Sequence, residues 1–178
     1  SEARDPYTAG HQNRVGLISR AIAQELGLSE DLIEGIELTA NIHDIGKIGI
    51  PAEILSRPGQ LLPAEFELVK GHSRGGYEIM SGIDFPWPVA EMILQHHERM
   101  DGTGYPNGLR GDEILIGARI IAVADVVEAM SSHRPYRASL GAQEAFDEII
   151  RGRGTEFHPE VVDACLRLYS EGRLGVEL

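Results

Sequence analysis

The hydrophobic residues of the chain recur mainly at intervals of three and four, the spacing of one face of an α-helix. The first such segment, residues 6–26, places its apolar side chains on a single face, and these are Val15, Ile18, Ile22 and Leu26. A second segment begins after Ser29, a favourable N-cap residue, and leads into His43. No stretch of strand length alternates between apolar and polar residues, so no β-strand is predicted.

The same spacing predicts further helices along the rest of the chain. They cover residues 63–80, 88–96, 114–131, 139–151 and 159–169, with Ser139 as the cap of the fourth. Two stretches rich in glycine and proline, residues 47–59 and 101–111, are predicted to be loops. The chain is therefore predicted to be all-α, a single domain over residues 1–178 built as a bundle of about seven helices.

Composition narrows the classes of protein to consider. A chain of 178 residues that is 42% hydrophobic can bury a core, and a net charge of −12 argues against a broad basic surface for nucleic-acid polymers or membranes. The chain has no uncharged apolar run of about 18 residues, so no membrane insertion is expected. Cys165 is the only cysteine, which suits the cytoplasm. Because the chain starts at Ser1 without methionine, we expect a domain excised from a longer signalling protein.

Histidines are the first candidates for chemistry. Four of them fall on the apolar faces of four different predicted helices, near a helix end or beside a glycine, and these are His11, His43, His72 and His96. A lone histidine on such a face is usually an ordinary core residue. Four such placements, with Asp44 and His97 directly adjoining two of them, are better explained by a metal site. Converging imidazoles and carboxylates are the ligands that first-row divalent metals select.

Two carboxylates complete this pattern. Asp125 lies among apolar residues, where an unpaired charge is costly, so it needs either a buried salt bridge or a metal. Asp44 could bridge two ions about 3.5–4 Å apart, which would share a hydroxide as the nucleophile. Lys47, three residues later, is either a phosphate contact or an ordinary solvated lysine. No Gly-x-Ser-x-Gly elbow and no phosphate-binding loop offers a different chemistry.

Three segments carry a resemblance to a known family. The sequence HDIGKIGIP at residues 43–51 resembles the HD superfamily of metal-dependent phosphohydrolases. The run HHERMDGTGYP at residues 96–106 matches the HHExxDGxGYP motif of the HD-GYP subfamily, and SHRPYR at residues 132–137 is similar to its Arg-Pro-Tyr-Arg segment. The similarity covers residues 5–165, nearly the whole chain, so the chain is identified as a member of the HD-GYP subfamily.

The resemblance implies an all-α HD fold and hydrolysis of cyclic di-GMP, a bacterial second messenger, to linear pGpG, GMP or both. It also implies a site with two iron or manganese ions. Members with a third ion carry Glu four residues before the first histidine, where this chain has Tyr7, so a third is not expected, although other groups could hold one. By position, one ion would be held by His11, His43, Asp44 and Asp125. The other would share Asp44 and be held by His72, His96 and His97.

The resemblance also implies roles around the metals. Asp44 and Lys47 would act in catalysis, and Lys47, Arg134, Arg137 and Tyr105 would contact the substrate. Glu98 would orient one of the metal-binding histidines. An upstream regulatory domain or a diguanylate cyclase-type protein is the expected partner, and a homodimer is left open.

Three other interpretations are compatible with parts of the pattern. The chain could be an HD phosphohydrolase for a different nucleotide, which a substrate panel would reveal. It could be a module that binds a cyclic dinucleotide or a partner without turnover, although all expected ligands are present. An HD oxygenase with mixed-valent iron would share the ligand types but not the Gly-Tyr-Pro motif.

Overall fold

The computed structural model describes residues 10–57, 59–132 and 141–176, and the regular structure within these ranges is helical. The α-helices are α1 (His11–Glu25), α2 (Glu30–Ile42), α3 (Ala52–Leu55), α4 (Pro63–Lys70), α5 (His72–Met80), α6 (Val89–Gln95), α7 (Ile116–Ser131), α8 (Ala142–Arg151) and α9 (Pro159–Ser170). Two 3-10 segments, Ile45–Gly49 and Gly111–Glu113, accompany them. The all-α prediction is confirmed, although the helices are shorter and more numerous than about seven.

One predicted helix start falls on residues that the structure does not describe, and another is two residues too early. Helix α1 is described from His11, with its N-cap Gly10 at a φ of 76°, a left-handed conformation that glycine adopts readily, and the predicted residues 6–9 lie outside the described residues. Helix α7 begins at Ile116, since Ile114 is extended. The predicted cap Ser139 lies outside the described residues. The cap at Ser29 is confirmed, because its side chain accepts a hydrogen bond from the Leu32 backbone N–H at 3.4 Å.

The predicted single helix over residues 63–80 is wrong as well. It consists of α4 and α5, which meet at Gly71. Gly71 has backbone angles of −61° and −15°, which lie in the right-handed helical region. The predicted loop at residues 47–59 contains the end of a 3-10 segment and the single turn α3. The junction at Gly71 directly precedes His72, and the 3-10 segment directly follows Asp44, so both lie next to residues of the predicted metal site.

Helix α7 is the centre of the hydrophobic core. It packs against α1, α8 and α9, and its residues Ile120, Ile121 and Val123 are completely buried. The predicted inner face of α1 is confirmed, because Val15, Ile18 and Ile22 are also fully buried. Burying one such aliphatic side chain contributes about 1.5–3 kcal/mol to folding. The core therefore holds α1 and α7 in a fixed relation, and both helices contribute residues to the site.

The 3-10 segment after Asp44 packs tightly against the start of α5. A Cβ atom at Gly46 would lie 1.9 Å from the backbone oxygen of His72 and 2.4 Å from the backbone nitrogen of Gly76. These are backbone atoms that cannot move aside easily, so only glycine fits. This contact brings the His43–Asp44 pair next to His72.

Candidate metal centre

The predicted histidines lie at the ends of four helices. His11 is the first residue of α1 and His72 the first of α5, while His43 directly follows α2 and His96 directly follows α6. All four are buried, with exposed fractions between 0% and 3%. The structure thus brings together residues that are separated by up to 85 positions in the sequence, as the prediction required.

Three of these histidines are held by the same kind of hydrogen bond. The Nδ1 atom of each lies near a carbonyl oxygen in the last turn of the preceding helix, where backbone carbonyls lack helical partners. The pairs are His43 with Ala40 at 2.7 Å, His72 with Val69 at 2.7 Å and His96 with Ile93 at 2.6 Å. A carbonyl oxygen can only accept, so Nδ1 must carry the hydrogen. The lone pair is therefore on Nε2, which is free to bind a metal.

The Nε2 atoms and two carboxylates converge on each other. Nε2 of His72 lies 3.3 Å from Nε2 of His96 and 3.4 Å from Oδ1 of Asp44. On the other side, Oδ1 of Asp125 lies 3.3 Å from Nε2 of His11. In three groups the potential ligand atoms lie within 4.8 Å of one another, and these are His72, His96 and His97; His11, His43 and Asp125; and His43, Asp44 and His96. The third group joins the other two.

His97 completes the cluster at its more open side. It is partly buried, and its ring centroid lies 4.0 Å from that of His96 and 5.0 Å from that of His72. The ring of Tyr105 stacks on the other side of His97, with 4.7 Å between centroids. The Gly-Tyr-Pro loop is thereby in direct contact with the candidate metal ligands.

The two carboxylates are ionised. Burial alone would raise the pKa of Asp44, but the ammonium of Lys47 and the neighbouring imidazoles hold it well below its usual range. Burial likewise opposes ionisation of Asp125, and its hydrogen bond with His11 keeps its pKa well below the usual value. Both groups therefore carry the negative charge that a cation requires.

Three of the histidines are neutral. Burial lowers the pKa of His72, and burial together with neighbouring imidazoles lowers the pKa of His96 far below 6.5. Burial also lowers the pKa of His97 to about 3. A metal ligand must be the neutral imidazole, so these side chains are ready to bind without losing a proton.

His11 has the opposite behaviour. Burial would lower its pKa, but hydrogen bonds with Asp125 and Glu128 outweigh that effect and raise the pKa to about 9. At neutral pH this imidazole carries a proton that a cation would have to displace. A divalent ion at this position would neutralise the negative charge of Asp125 and Glu128 in place of that proton.

Glu128 is a site residue that the sequence analysis missed. It is completely buried on α7, and its carboxylate contacts Nδ1 of His11. The same carboxylate accepts hydrogen bonds from Nε of Arg14 at 2.7 Å and from the hydroxyl of Ser132 at 2.5 Å. Glu128 lies three residues after Asp125, on the same face of the helix. A second carboxylate at that spacing in an apolar helix was the available indication.

Two further predicted residues lie next to the cluster. Nζ of Lys47 is 2.6 Å from Oδ2 of Asp44, which places a cation at the edge of the site. The carboxylate of buried Glu98 accepts hydrogen bonds from the backbone N–H groups of Asn107 at 2.7 Å and Leu109 at 3.0 Å. In this structure Glu98 anchors the Gly-Tyr-Pro loop.

Two of the predicted substrate contacts, Arg134 and Arg137, lie outside the described residues, as does Tyr7. The donor set that the structure does describe fits divalent transition metals, because it combines neutral imidazoles with ionised carboxylates at metal-binding separations.

The helical fold and this histidine–aspartate centre define an HD domain. The sequence pattern of the family described as HD domain matches residues 2–161, and the chain belongs to this family. Hydrolases with this domain are metal-dependent, which agrees with the clusters described above. No described helix is both long and apolar enough to cross a membrane.

Named relatives and solved structures support the assignment. The chain is 49% identical over 173 residues to a protein of Thermotoga maritima named cyclic di-GMP phosphodiesterase, covering 96% of this chain and 47% of the relative. It is 39% identical over 159 residues to 3'3'-cGAMP-specific phosphodiesterase 3 of Vibrio cholerae, covering 89% and 35%. The structure of Bd1817, an HDG"Y"P protein from Bdellovibrio bacteriovorus, aligns with a TM-score of 0.73 at 22% identity, covering 90% and 51%. The chain thus spans about half or less of these proteins.

Proposed function

We propose that this chain is a metal-dependent phosphodiesterase that hydrolyses cyclic di-GMP to linear pGpG, GMP or both. The proposal rests on the arrangement of the potential ligand atoms. One group contains His72 and another contains His11, and a third group, with His43 and Asp44, shares a residue with each of them. A phosphodiester between two cations is the arrangement that two-metal hydrolysis requires. The name of the Thermotoga maritima relative supports cyclic di-GMP as the substrate.

The proposed ligand sets follow the two clusters. One ion would be held by His11, His43, Asp44 and Asp125, and the other by Asp44, His72, His96 and His97. Imidazole and carboxylate ligands suit several divalent metals, and among these the resemblance to the HD-GYP subfamily favours iron or manganese, with two ions in total. When bound, the two cations would activate water and neutralise the charge of the phosphoryl group.

The residues of the chain have separate tasks in this proposal. Asp44 remains ionised and holds its position between the two clusters, while Lys47 contributes a positive charge at the edge of the site. Lys47 would exchange part of its contact with Asp44 for a phosphoryl oxygen of the substrate. Tyr105 forms the wall beside His97. Arg134 and Arg137 are proposed as additional phosphate or guanine contacts.

Metal content and hydrolysis measured on one anaerobically purified sample would test the function. About two iron or manganese ions per chain, together with pGpG or GMP as the product, is the expected result. Asp44→Asn keeps the shape of the side chain but removes its charge, and should abolish both metal loading and turnover. Asp147→Asn makes the same change at an exposed site on α8 and should change neither. Normal metal content in Asp44→Asn would disprove the bridging role.

A different cyclic dinucleotide is the second candidate substrate. The similarity to a 3'3'-cGAMP-specific phosphodiesterase of Vibrio cholerae is the observation in its favour. Hydrolysis rates for cyclic di-GMP, 3'3'-cGAMP and cyclic di-AMP under identical metal loading would separate the candidates. Cyclic dinucleotide binding without turnover of any of them would instead indicate a binding module.

The wider setting of the domain is also a proposal. The relatives are more than twice as long as the matched region, so we propose that a regulatory domain or a diguanylate cyclase-type partner controls this domain in the cytoplasm. A homodimer stays a prediction, which sedimentation of the metal-loaded chain would test.

A further inference from the structure

A cleft of about 390 Å³ opens beside the metal centre, between the junction of α4 with α5 and the Gly-Tyr-Pro loop. Gly71 and Gly75 line one side, and because they lack side chains they leave that side open. Tyr105 and Pro106 line the opposite side. Since Tyr105 also stacks on His97, this cleft lies one aromatic ring away from the candidate metal ligands.

The polar side chains on one side of the cleft come from both helices. Arg74 and Glu78 are four residues apart on α5, which places them one helical turn apart on the same side, and Lys70 is the last residue of α4. Arg74 donates one hydrogen bond across the cleft to Oδ1 of Asn107, at 3.4 Å. A guanidinium has five N–H donors, so most of them are available to a ligand.

Glu78 provides the complementary group. Among the described residues, no hydrogen bond or ion pair involves its carboxylate, and the side chain is exposed at the cleft. Lys70, in contrast, is paired with Glu67 at 2.7 Å and lies over the Tyr105 ring. The cleft thus presents the N–H donors of the Arg74 guanidinium, the carboxylate acceptor of Glu78 and the aromatic ring of Tyr105.

We propose that this cleft binds a guanine base of the substrate, with Arg74 and Glu78 as the residues that determine base specificity. Guanine carries two acceptors, O6 and N7, that match an arginine fork, and its N1–H and N2 amino donors match a carboxylate. Adenine lacks both O6 and the N2 amino group, so it can satisfy neither residue fully. The aromatic wall at Tyr105 would contact the face of either base.

This inference rests on the proposed function, because it places one nucleotide of a cyclic dinucleotide beside the metal centre. Tyr105 touches both His97 and the cleft, so a nucleotide whose phosphate lies at the metal ligands can place its base against Tyr105. The second nucleotide would lie outside this cleft.

Direct binding of GMP and AMP to the metal-loaded chain tests the inference without turnover. The two probes share ribose and phosphate, so the ratio of their dissociation constants reports on the base alone. We expect GMP to bind about tenfold more tightly than AMP, and Arg74→Ala and Glu78→Gln each to remove most of this preference. Arg74→Lys keeps the charge but loses the fork, and should lose most of the preference too. Arg151→Ala, at an exposed arginine on α8, should retain it.

Hydrolysis provides the second measurement. In the variants Arg74→Ala and Glu78→Gln, the ratio of kcat/KM for cyclic di-GMP over cyclic di-AMP should fall while metal content stays normal. Equal binding of GMP and AMP by the parent chain, or an unchanged preference in both variants, would overturn the inference. An inactive, metal-loaded parent chain would refute the proposed hydrolysis instead, and the binding ratio would still decide the role of the cleft.

Discussion

Replacing Glu128 by Gln tests whether the metal centre depends on the carboxylate behind His11. Gln has the same volume and keeps one oxygen, but it loses the charge. If its amide nitrogen faces His11, then Nδ1 of His11 must accept, and the hydrogen moves to Nε2. Nε2 is the atom that faces Asp125 at 3.3 Å and would bind the metal. If the amide is turned the other way, its NH₂ group meets the donating guanidinium of Arg14.

The expected magnitude follows from this geometry. Removal of a partner that orients a metal-binding histidine typically weakens metal affinity by about 10–100-fold. The effect should be confined to one of the two ions, because the described hydrogen bonds of the Glu128 carboxylate are with His11, Arg14 and Ser132 and not with the histidines of the other group. The orientation of His72 and His96 instead depends on the backbone carbonyls of Val69 and Ile93.

The protein would first be stripped of metal with a chelator and then loaded stepwise with Mn²⁺ in competition with a metal-binding dye. This titration would resolve the two binding steps. We expect one step to weaken by about 10–100-fold in Glu128→Gln and the other to remain as in the parent chain. Glu144→Gln, at an exposed position on α8, is the matched control and should change neither step. Equal weakening of both steps would mean that Glu128 acts through the fold as a whole, and two unchanged steps would mean that it does not orient His11.

Three further predictions concern the chain without metal and its packing. Because the pKa of His11 rises from 6.5 to about 9 on folding, its proton should contribute about 3 kcal/mol to the stability of the metal-free protein at pH 6.5, and this contribution should be lost as the pH rises through 9. Urea unfolding of the parent chain and of His11→Gln at pH 6.5 and at pH 9.5 measures it, and an equal change with pH in the two proteins would contradict it. Burial raises the pKa of Cys165 to about 12, so iodoacetamide at pH 8 should label this thiol only after unfolding, and rapid labelling of the native chain would contradict its burial. Gly46→Ala should lower both the stability of the fold and the metal content, because the added Cβ would clash with the backbone oxygen of His72. At Gly49 an added Cβ would have no atom within 4 Å, so Gly49→Ala is the control and should be tolerated.

The sequence predicted a structural feature correctly where the pattern of residues had a single physical explanation. Helical spacing identified the inner face of α1, and a run of buried histidines that no ordinary core would contain identified the candidate metal ligands. His11 and Asp125 meet in the structure although 114 positions separate them. The family resemblance placed them together, and the residues alone indicated only that each, as a polar group on an apolar face, must find a partner.

Other features could not be read from spacing alone. Gly71 was compatible with either a continuous or an interrupted helix, and in the structure α4 ends just before it and α5 begins just after it. Only tertiary contacts determine which outcome occurs. The bonds of Glu98 with the loop backbone were unpredictable for a similar reason, because the backbone N–H groups of a loop have no pattern in the sequence.

The position of the histidines at helix ends explains why four separate helices can form one centre. A helix leaves its last carbonyls without partners, and here those carbonyls orient His43, His72 and His96. The orientation of each imidazole therefore depends on where the preceding helix ends, and the distances between imidazoles depend on how the helices pack. Changes far from the metal, such as one that shifts α6 against α5, should consequently alter metal affinity before they unfold the domain. The candidate centre is a property of the packed bundle, since each helix contributes only one or two of its proposed ligands.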